Sequence, residues 1–495
     1  MEEIIKFTNI FILSSTEPFE ISMICEKALS LMSQNQHVVV IDCISDAEKP
    51  KNFYFAEKYS LYKFQSLKKL LIKNDINLIN LPRNPQIMHS HNNQLNALAK
   101  KAAHMELIAI KRDLNPCEIC HAEQKKQMID SYIDTYTRFQ NLLTEFNVEC
   151  IYIYNGRFLI GNACWNAASA NKLKIRFLEQ ISMNKPDKFW VFEEPVHSIS
   201  YRAKVIKNFI KEQFENEYAN YFNIGIEWYL NRISGKGQSF TSKQNLEYYR
   251  KTPEQCIVSF FTSSEDELIL LGLEDPAWGD QKSIIVQLAQ LFANLGNINF
   301  VIRIHPNTNH KSSTEILKWK KFKKYLENNF SFVEVIDPLS KVNTYSLIKQ
   351  SNLVVTNGST VNLEAAFLNI PNVLIGNGLY KDMEIAYTPK DCNEFSLNLT
   401  NYMKNDKNNY FYKNAIKTAT FLNYGGLPYK FVMVNPQVND IRLFDSSINN
   451  SKIYSLALTF DKTFLKFKAK LSHAPWHKRR SEEFLAQQFN YFTKI

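Results

Sequence analysis

Three short clusters hold residues whose types and spacing suit chemistry on an anionic ligand. Arg303-Ile304-His305-Pro306 closes an apolar run, and Pro306 holds His305 in extended geometry at the end of that run. An imidazole so placed can donate to a phosphate or act on a leaving group. Asn357-Gly358-Ser359-Thr360 follows a second apolar run and precedes a helical pattern that contains Glu364. Asn357-Gly358 suits a turn with positive φ, Ser359 suits a helix N-cap, and the free N–H groups of such a turn attract a phosphate. The third cluster, Asn155-Gly156-Arg157, follows the run from Glu149 to Tyr154, and the next apolar run, Ile175 to Leu178, ends at Glu179.

The elements that must position these residues alternate regularly. Asn9 to Ser15 reads as a strand, Phe19 to Met32 as a helix and His37 to Cys43 as a strand. Helical patterns over Ala122 to Phe146 and Asn162 to Asn171 bracket the strand that leads to Asn155. The second half repeats the plan: strands at Cys256 to Phe261, Asn299 to Ile304, Phe332 to Ile336, Leu353 to Val355 and Val373 to Ile375, with helices between them. Such alternation predicts an α/β protein with two Rossmann-like domains facing a cleft. The expected division is an N-terminal domain over 1–230, a polar linker over 231–253, a C-terminal domain over 254–425 and an extension over 426–495. In a parallel sheet the loops at one edge converge, so Thr262 to Glu265 with Ser263 and Ser264, Arg303 to Pro306 and Asn357 to Thr360 are expected to line one pocket. Asn155, Gly156, Arg157 and Glu179 are expected at the carboxyl edge of the other sheet.

Composition narrows the partners. The 495 residues carry 59 Lys and Arg against 49 Asp and Glu, a net charge of +10. That excess suits an anionic ligand or surface, but the basic residues are dispersed and no nucleic-acid-binding signature appears, so no nucleic acid is expected. No run of about 18 apolar residues occurs and the N-terminus is acidic, which predicts a cytoplasmic protein with reduced cysteines. Cys117-Glu118-Ile119-Cys120-His121 matches a haem-attachment spacing and half of a zinc site, but lacks a second ligand pair downstream. No metal and no cofactor are expected. Near the C-terminus, Lys462 to Leu471 places Phe464, Phe467 and Leu471 on one face of a basic amphipathic helix, a pattern suited to the cytoplasmic face of an inner membrane.

Taken together over about residues 254–385, the Arg303-Ile304-His305-Pro306 run, the Asn357-Gly358-Ser359-Thr360 turn, Glu364-Ala365 and Pro371 resemble GT-B glycosyltransferases of the capsular polysaccharide biosynthesis type. They are also similar to bacterial Kdo- and sialyl-transferases and to polyol-phosphate transferases. The resemblance implies an inverting, metal-independent transfer from a CMP- or UDP-linked sugar to a hydroxyl of a surface glycan or lipid-linked acceptor. It implies that His305, with Arg303, Ser263, Ser264 and the Asn357–Thr360 turn, holds the donor phosphate, and that Glu364 binds the donor ribose. The catalytic base is expected from the N-terminal half: Glu179, with Glu17 and Glu194 as alternatives. A non-catalytic glycan- or nucleotide-binding relative and a polyol-phosphate transferase are the competing readings.

Overall fold

A computed structural model describes residues 7–15, 18–44, 71–72, 75–81, 92–180, 188–195, 197–214, 218–234, 244–248, 254–404, 406–435 and 440–443. The Lys462 to Leu471 pattern and Glu17 lie outside the described residues.

The first sheet is built from β1 (Thr8–Leu13), β2 (His37–Asp42), β3 (Asn77–Asn80), β4 (Val148–Tyr154) and β5 (Ile175–Gln180), all parallel, in the order β3-β2-β1-β4-β5. β6 (Lys188–Phe192) then adds antiparallel to β5. All six residues of β1 are buried because both faces of the sheet are covered. Phe11 and Leu13 pack beneath α1 (Pro18–Met32), while Ile10 and Ile12 pack with Phe139 and Leu142 of α3 (Ala122–Leu143) and with Cys164 and Ala167 of α4 (Leu159–Ala170). Between β3 and α3 lies α2 (Asn93–Lys111), whose N-cap Asn92 accepts from the amides of Gln94 and Leu95. The sequence pattern had left this stretch unread, because its apolar stripe is largely alanine.

Two helices follow, α5 (Ile199–Phe214) and α6 (Tyr218–Ile233). The second sheet takes its strands from β7 (Cys256–Phe261), β8 (Ile298–Arg303), β9 (Val333–Ile336), β10 (Leu353–Thr356) and β11 (Asn372–Leu374), parallel and ordered β11-β10-β7-β8-β9. Its interleaved helices are α7 (Glu265–Leu270), α8 (Gln281–Ala293), α9 (Ser313–Asn329), α10 (Thr344–Gln350) and α11 (Val361–Phe367), followed by α12 (Cys392–Lys404) and α13 (Asn408–Tyr424). Here too the strand residues alternate between two cores. Val258 and Phe260 join α8 and α12, while Ile257 and Phe261 join α10 and α11.

The chain crosses between the sheets more than once. Although α5 and α6 precede the expected linker, Ala203, Ile206 and Tyr229 pack with Leu363, Phe411 and Ile416 of the second half. Residues 244–248, inside that expected linker, lie against α10: Leu246 bridges to Val342 and the Tyr248 amide donates to Ser346 Oγ at 2.7 Å. After α13 the chain returns to the first sheet, where β12 (Leu427–Pro428) pairs antiparallel with β6. Buried Glu26 of α1 accepts there from the amides of Lys430, Phe431 and Val432 at 2.7, 2.7 and 2.9 Å. Among the described residues no helix is long and apolar enough to cross a membrane.

Candidate active site

In the second sheet, β7 lies between β10 and β8, so chain order reverses at β7, the position at which open α/β sheets ordinarily bind ligands, next to the loops that follow β7 and β10. Those loops touch: Ser263 Oγ donates to the Asn357 carbonyl, while the Ser263 amide donates to Gln281 Oε1 at 2.6 Å. Gly358 has φ +75°, the conformation that the turn requires, and a Cβ at Gly378 would lie 2.7 Å from the Gly358 Cα. α11 begins one residue later than a Ser359 cap would set it. Thr360 occupies the N-cap position with helical backbone and no side-chain cap, and Ser359 Oγ instead accepts from the Val361 amide at 3.3 Å.

His305 stands at the next loop. Its amide donates to Thr262 Oγ1 at 2.7 Å, and its Nδ1 accepts from the Asn307 amide at 3.1 Å. With Nδ1 an acceptor, the ring hydrogen is assigned to Nε2. Burial, reinforced by the nearby Lys311 charge, lowers His305 from 6.5 to about 4, so at neutral pH it is a neutral donor. Ser264 is turned inward: its Oγ donates to Asp266 Oδ1 at 2.8 Å and accepts from Asn307 Nδ2 at 3.0 Å. Burial opposes ionisation of Asp266, but the paired Lys311 outweighs it and holds the carboxyl below its ordinary value.

Arg303, expected at the donor phosphate, and Glu364, expected at the donor ribose, have other partners. The Arg303 guanidinium donates to the carbonyls of Asp337 and Ser340 at 3.4 and 3.1 Å, so it ties down the loop after β9. Burial brings Arg303 down to about 10. Glu364, only 3% exposed, accepts from Arg232 Nε at 2.7 Å and from the Tyr345 hydroxyl at 3.3 Å.

At the first sheet's carboxyl edge, Asn155 and Gly156 both have positive φ, +56° and +78°, and a Cβ on Gly156 would meet the Phe177 ring at 2.7 Å. This tight turn aims Asn155 Nδ2 at Glu179 Oε2, 2.5 Å away. Burial raises Glu179 above the usual carboxylate range, while Arg157, the Asn155 amide and Arg202 pull it back. Glu194 is exposed and accepts from Ser198 Oγ at 2.5 Å.

The two edges face each other. A cavity of about 210 Å³ is lined by Arg112, Arg157 and Phe158 from one side and by Asp266, Glu267 and Leu270 from the other. Arg112 reaches Asp266 at 3.6 Å, and its carbonyl accepts from the Ser312 amide at 3.1 Å. Glu267 is raised by burial and by neighbouring Asp266, against the pull of Lys311, Arg157 and Arg112. Arg157 therefore acts on a carboxylate in each half. Arg112, Arg202, Glu267 and Lys311 carried no motif in the sequence; only the left-handed Arg112 at the end of α2, φ +55°, marks the first of them as special. The exposed Cys117 and Cys120 lie on the loop between α2 and α3, Cys117 Sγ donating to Cys120 Sγ at 2.6 Å.

Two facing Rossmann-like sheets with their carboxyl edges across a cleft make a GT-B-like architecture. Residues 264–379, which include the Asn357–Thr360 turn and His305, match the model of the UDP-N-acetylglucosamine 2-epimerase family. The match spans well under half of the chain. Among solved structures, this chain is similar to the beta Kdo 2,4 transferase KpsC of Thermosulfurimonas dismutans, with 14% identity, 50% of this chain and 75% of that one covered, and a TM-score of 0.35. It is similar to the UDP-GlcNAc 2-epimerase of Methanocaldococcus jannaschii, solved with UDP-GlcNAc and UDP, at 12% identity over 85% of this chain and all (100%) of that one, TM-score 0.31. A third likeness is to the UDP-GlcNAc 2-epimerase of Neisseria meningitidis, bound to UDP-GlcNAc, at 11% identity, 85% and 97% coverage and a TM-score of 0.29. At such scores these likenesses carry no argument about ligand or reaction. No curated protein matches the sequence.

Proposed function

We propose that this chain transfers a sugar from a nucleotide-activated donor, held at the second sheet, to an acceptor hydroxyl presented at the first. The observation that carries the reading is the meeting of the β7, β8 and β10 loops at the point where strand order reverses, the β8 and β10 loops inside the segment matched by a nucleotide-sugar family and the β7 loop at its start, opposite the half-buried Glu179 carboxylate on the facing sheet.

In this reading the donor diphosphate lies in the crevice beside Ser263, Asn357 and Gly358. Neutral His305 donates to it from Nε2 without the cost of burying a second cation, and the fixed amides of the turn face the charge that develops on the leaving group. Arg303 acts indirectly, by holding the β9 loop. Glu364 reaches a ribose hydroxyl only by exchanging its bond with Arg232 or Tyr345. Glu179 takes the acceptor proton, and its raised affinity for protons suits a general base near neutral pH. The cavity of about 210 Å³ between the edges is below the roughly 300–1,000 Å³ usual for ligand pockets, and parting of the Arg112–Asp266 contact at its wall would enlarge it.

The test is a thermal-shift comparison of UDP, CMP, CDP, GDP and dTDP on the full chain. UDP is expected to raise the melting temperature most, and His305→Ala to abolish that rise. An unchanged UDP shift in His305→Ala would refute this placement of the donor. The matched family favours a second reading, epimerisation at C2 of a UDP-N-acetylhexosamine. Proton NMR of UDP-N-acetylglucosamine incubated with the protein, without and with a glycan acceptor, decides between them: a manno-configured product formed without acceptor supports epimerisation, and a loss of donor that requires the acceptor supports transfer.

A further inference from the structure

Three buried side-chain nitrogens near Glu179 and Arg157 have no hydrogen-bond partner among the described residues: Nε of Arg157, Nε of Arg202 and Nδ1 of His197. The first two are N–H donors of permanently charged guanidiniums. Arg157 follows β4, and Arg202 lies on α5, which packs on the second half through Ala203 and Ile206. Tyr201, beside Arg202, accepts from the Glu193 amide at 2.9 Å and so anchors the start of α5 to the turn after β6. Both guanidiniums act on the Glu179 carboxylate, and both Arg157 and Lys101 act on His197.

Glu179 faces the Arg157 and Arg202 guanidiniums, Arg157 is shared with Glu267, and Lys101 is near, so three cations meet two carboxylates and the cluster keeps an excess of positive charge. Leaving a buried donor unpaired costs about 1–3 kcal/mol, and more when it is charged, so such groups are ordinarily satisfied by protein, water or ligand. A guanidinium presents its N–H groups as a planar fork that matches a carboxylate or phosphate.

We propose that Arg157 and Arg202 form an anion subsite that holds a carboxylate or phosphate carried by the acceptor sugar. Held there, the acceptor places a neighbouring hydroxyl at Glu179. The inference rests on the reading of this edge as the acceptor side, and it specifies the acceptor class as an acidic or phosphorylated glycan. A neutral sugar would leave the excess positive charge uncompensated.

Titration calorimetry on the full chain tests this with methyl β-D-glucuronide, glucose 6-phosphate, methyl β-D-glucoside and inorganic phosphate. The glucuronide or the sugar phosphate is expected to bind at least about tenfold more tightly than the glucoside, one good charge-assisted contact being worth about that factor. Whichever of the two binds identifies the anion. Arg202→Gln and, independently, Arg157→Gln should remove the preference, and Arg202→Lys, which keeps charge but loses the fork, should restore part of it. The melting temperature and UDP shift of each variant report on folding and on the donor side. Equal binding of glucoside, glucuronide and sugar phosphate overturns the subsite, as does unchanged glucuronide binding in folded Arg202→Gln. Inorganic phosphate binding as tightly as both sugars overturns its assignment to an acceptor. If the glucuronide preference is present while no nucleotide shifts the wild-type protein, the donor reading fails and the anion subsite stands.

Discussion

Arg232 Nε lies 2.7 Å from Glu364 Oε1, joining the helix that closes the first half of the chain to the short helix behind the Asn357–Thr360 turn. The carboxylate is 3% exposed and the arginine 30%, its guanidinium also stacked over Trp228 at 4.8 Å. Arg232→Met leaves Glu364 with only the Tyr345 hydroxyl, and we expect a loss of about 3 kcal/mol, the lower end for breaking a buried pair. Adding Glu364→Gln should recover part of the loss. Urea denaturation measures both, and a loss under about 1 kcal/mol would show that the carboxylate does not depend on this partner.

His305 makes stability depend on pH. Its proton affinity falls from 6.5 in the unfolded chain to about 4 in the folded one, so between those values the unfolded state binds more protons. The contribution is therefore complete above pH 6.5 and is lost as pH falls toward 4, amounting to roughly 3 kcal/mol for a shift of this size. His305→Gln should flatten this part of the stability profile, and denaturation curves at pH 7 and pH 4.5 compare the two. Equal slopes in wild type and variant would place the imidazole in water.

Glu179→Gln keeps the shape and the Asn155 contact region but removes the base. Turnover should fall by about 10²–10⁴, the usual contribution of general base catalysis, with the UDP thermal shift unchanged. In the wild-type protein the acidic limb of the proposed transfer's rate profile should lie above the ordinary carboxylate range, because burial raises Glu179. A variant that turns over at the wild-type rate would transfer the role elsewhere, with Glu267 across the cleft the next candidate.

Glu26 holds the returning C-terminal segment through three amides, those of Lys430, Phe431 and Val432. Glu26→Ala should cost about 1.5–3 kcal/mol, the range for hydrogen bonds to a charged group. Hydrogen exchange provides the readout: the amides of residues 430–432 should lose protection while those of β7 and β8 keep theirs. Unchanged protection at 430–432 would mean that β12 pairing alone holds the segment.

Much of the architecture was legible because strands buried on both faces leave an unbroken apolar signature. Cys256 to Phe261 reads as a strand and is one, and Asn357-Gly358 reads as a sharp turn because few other dipeptides supply its positive φ. β6 and α2 were missed for the same physical reason in reverse: half-buried Lys188–Phe192 and an alanine-rich helix leave weak periodicity.

Residue type and local spacing thus determined the two α/β halves, the turns at their carboxyl edges and the presence of a histidine, a glycine turn and a carboxylate at those edges. Which partner each side chain takes was decided only by tertiary structure. Arg303 turns to the Asp337 and Ser340 carbonyls, Glu364 meets an arginine 132 positions earlier, and Arg157 acts on a carboxylate in each half of the chain. Charge pairing depends on distance and on exclusion of water, and both are properties of the packed cleft that no stretch of chain carries by itself.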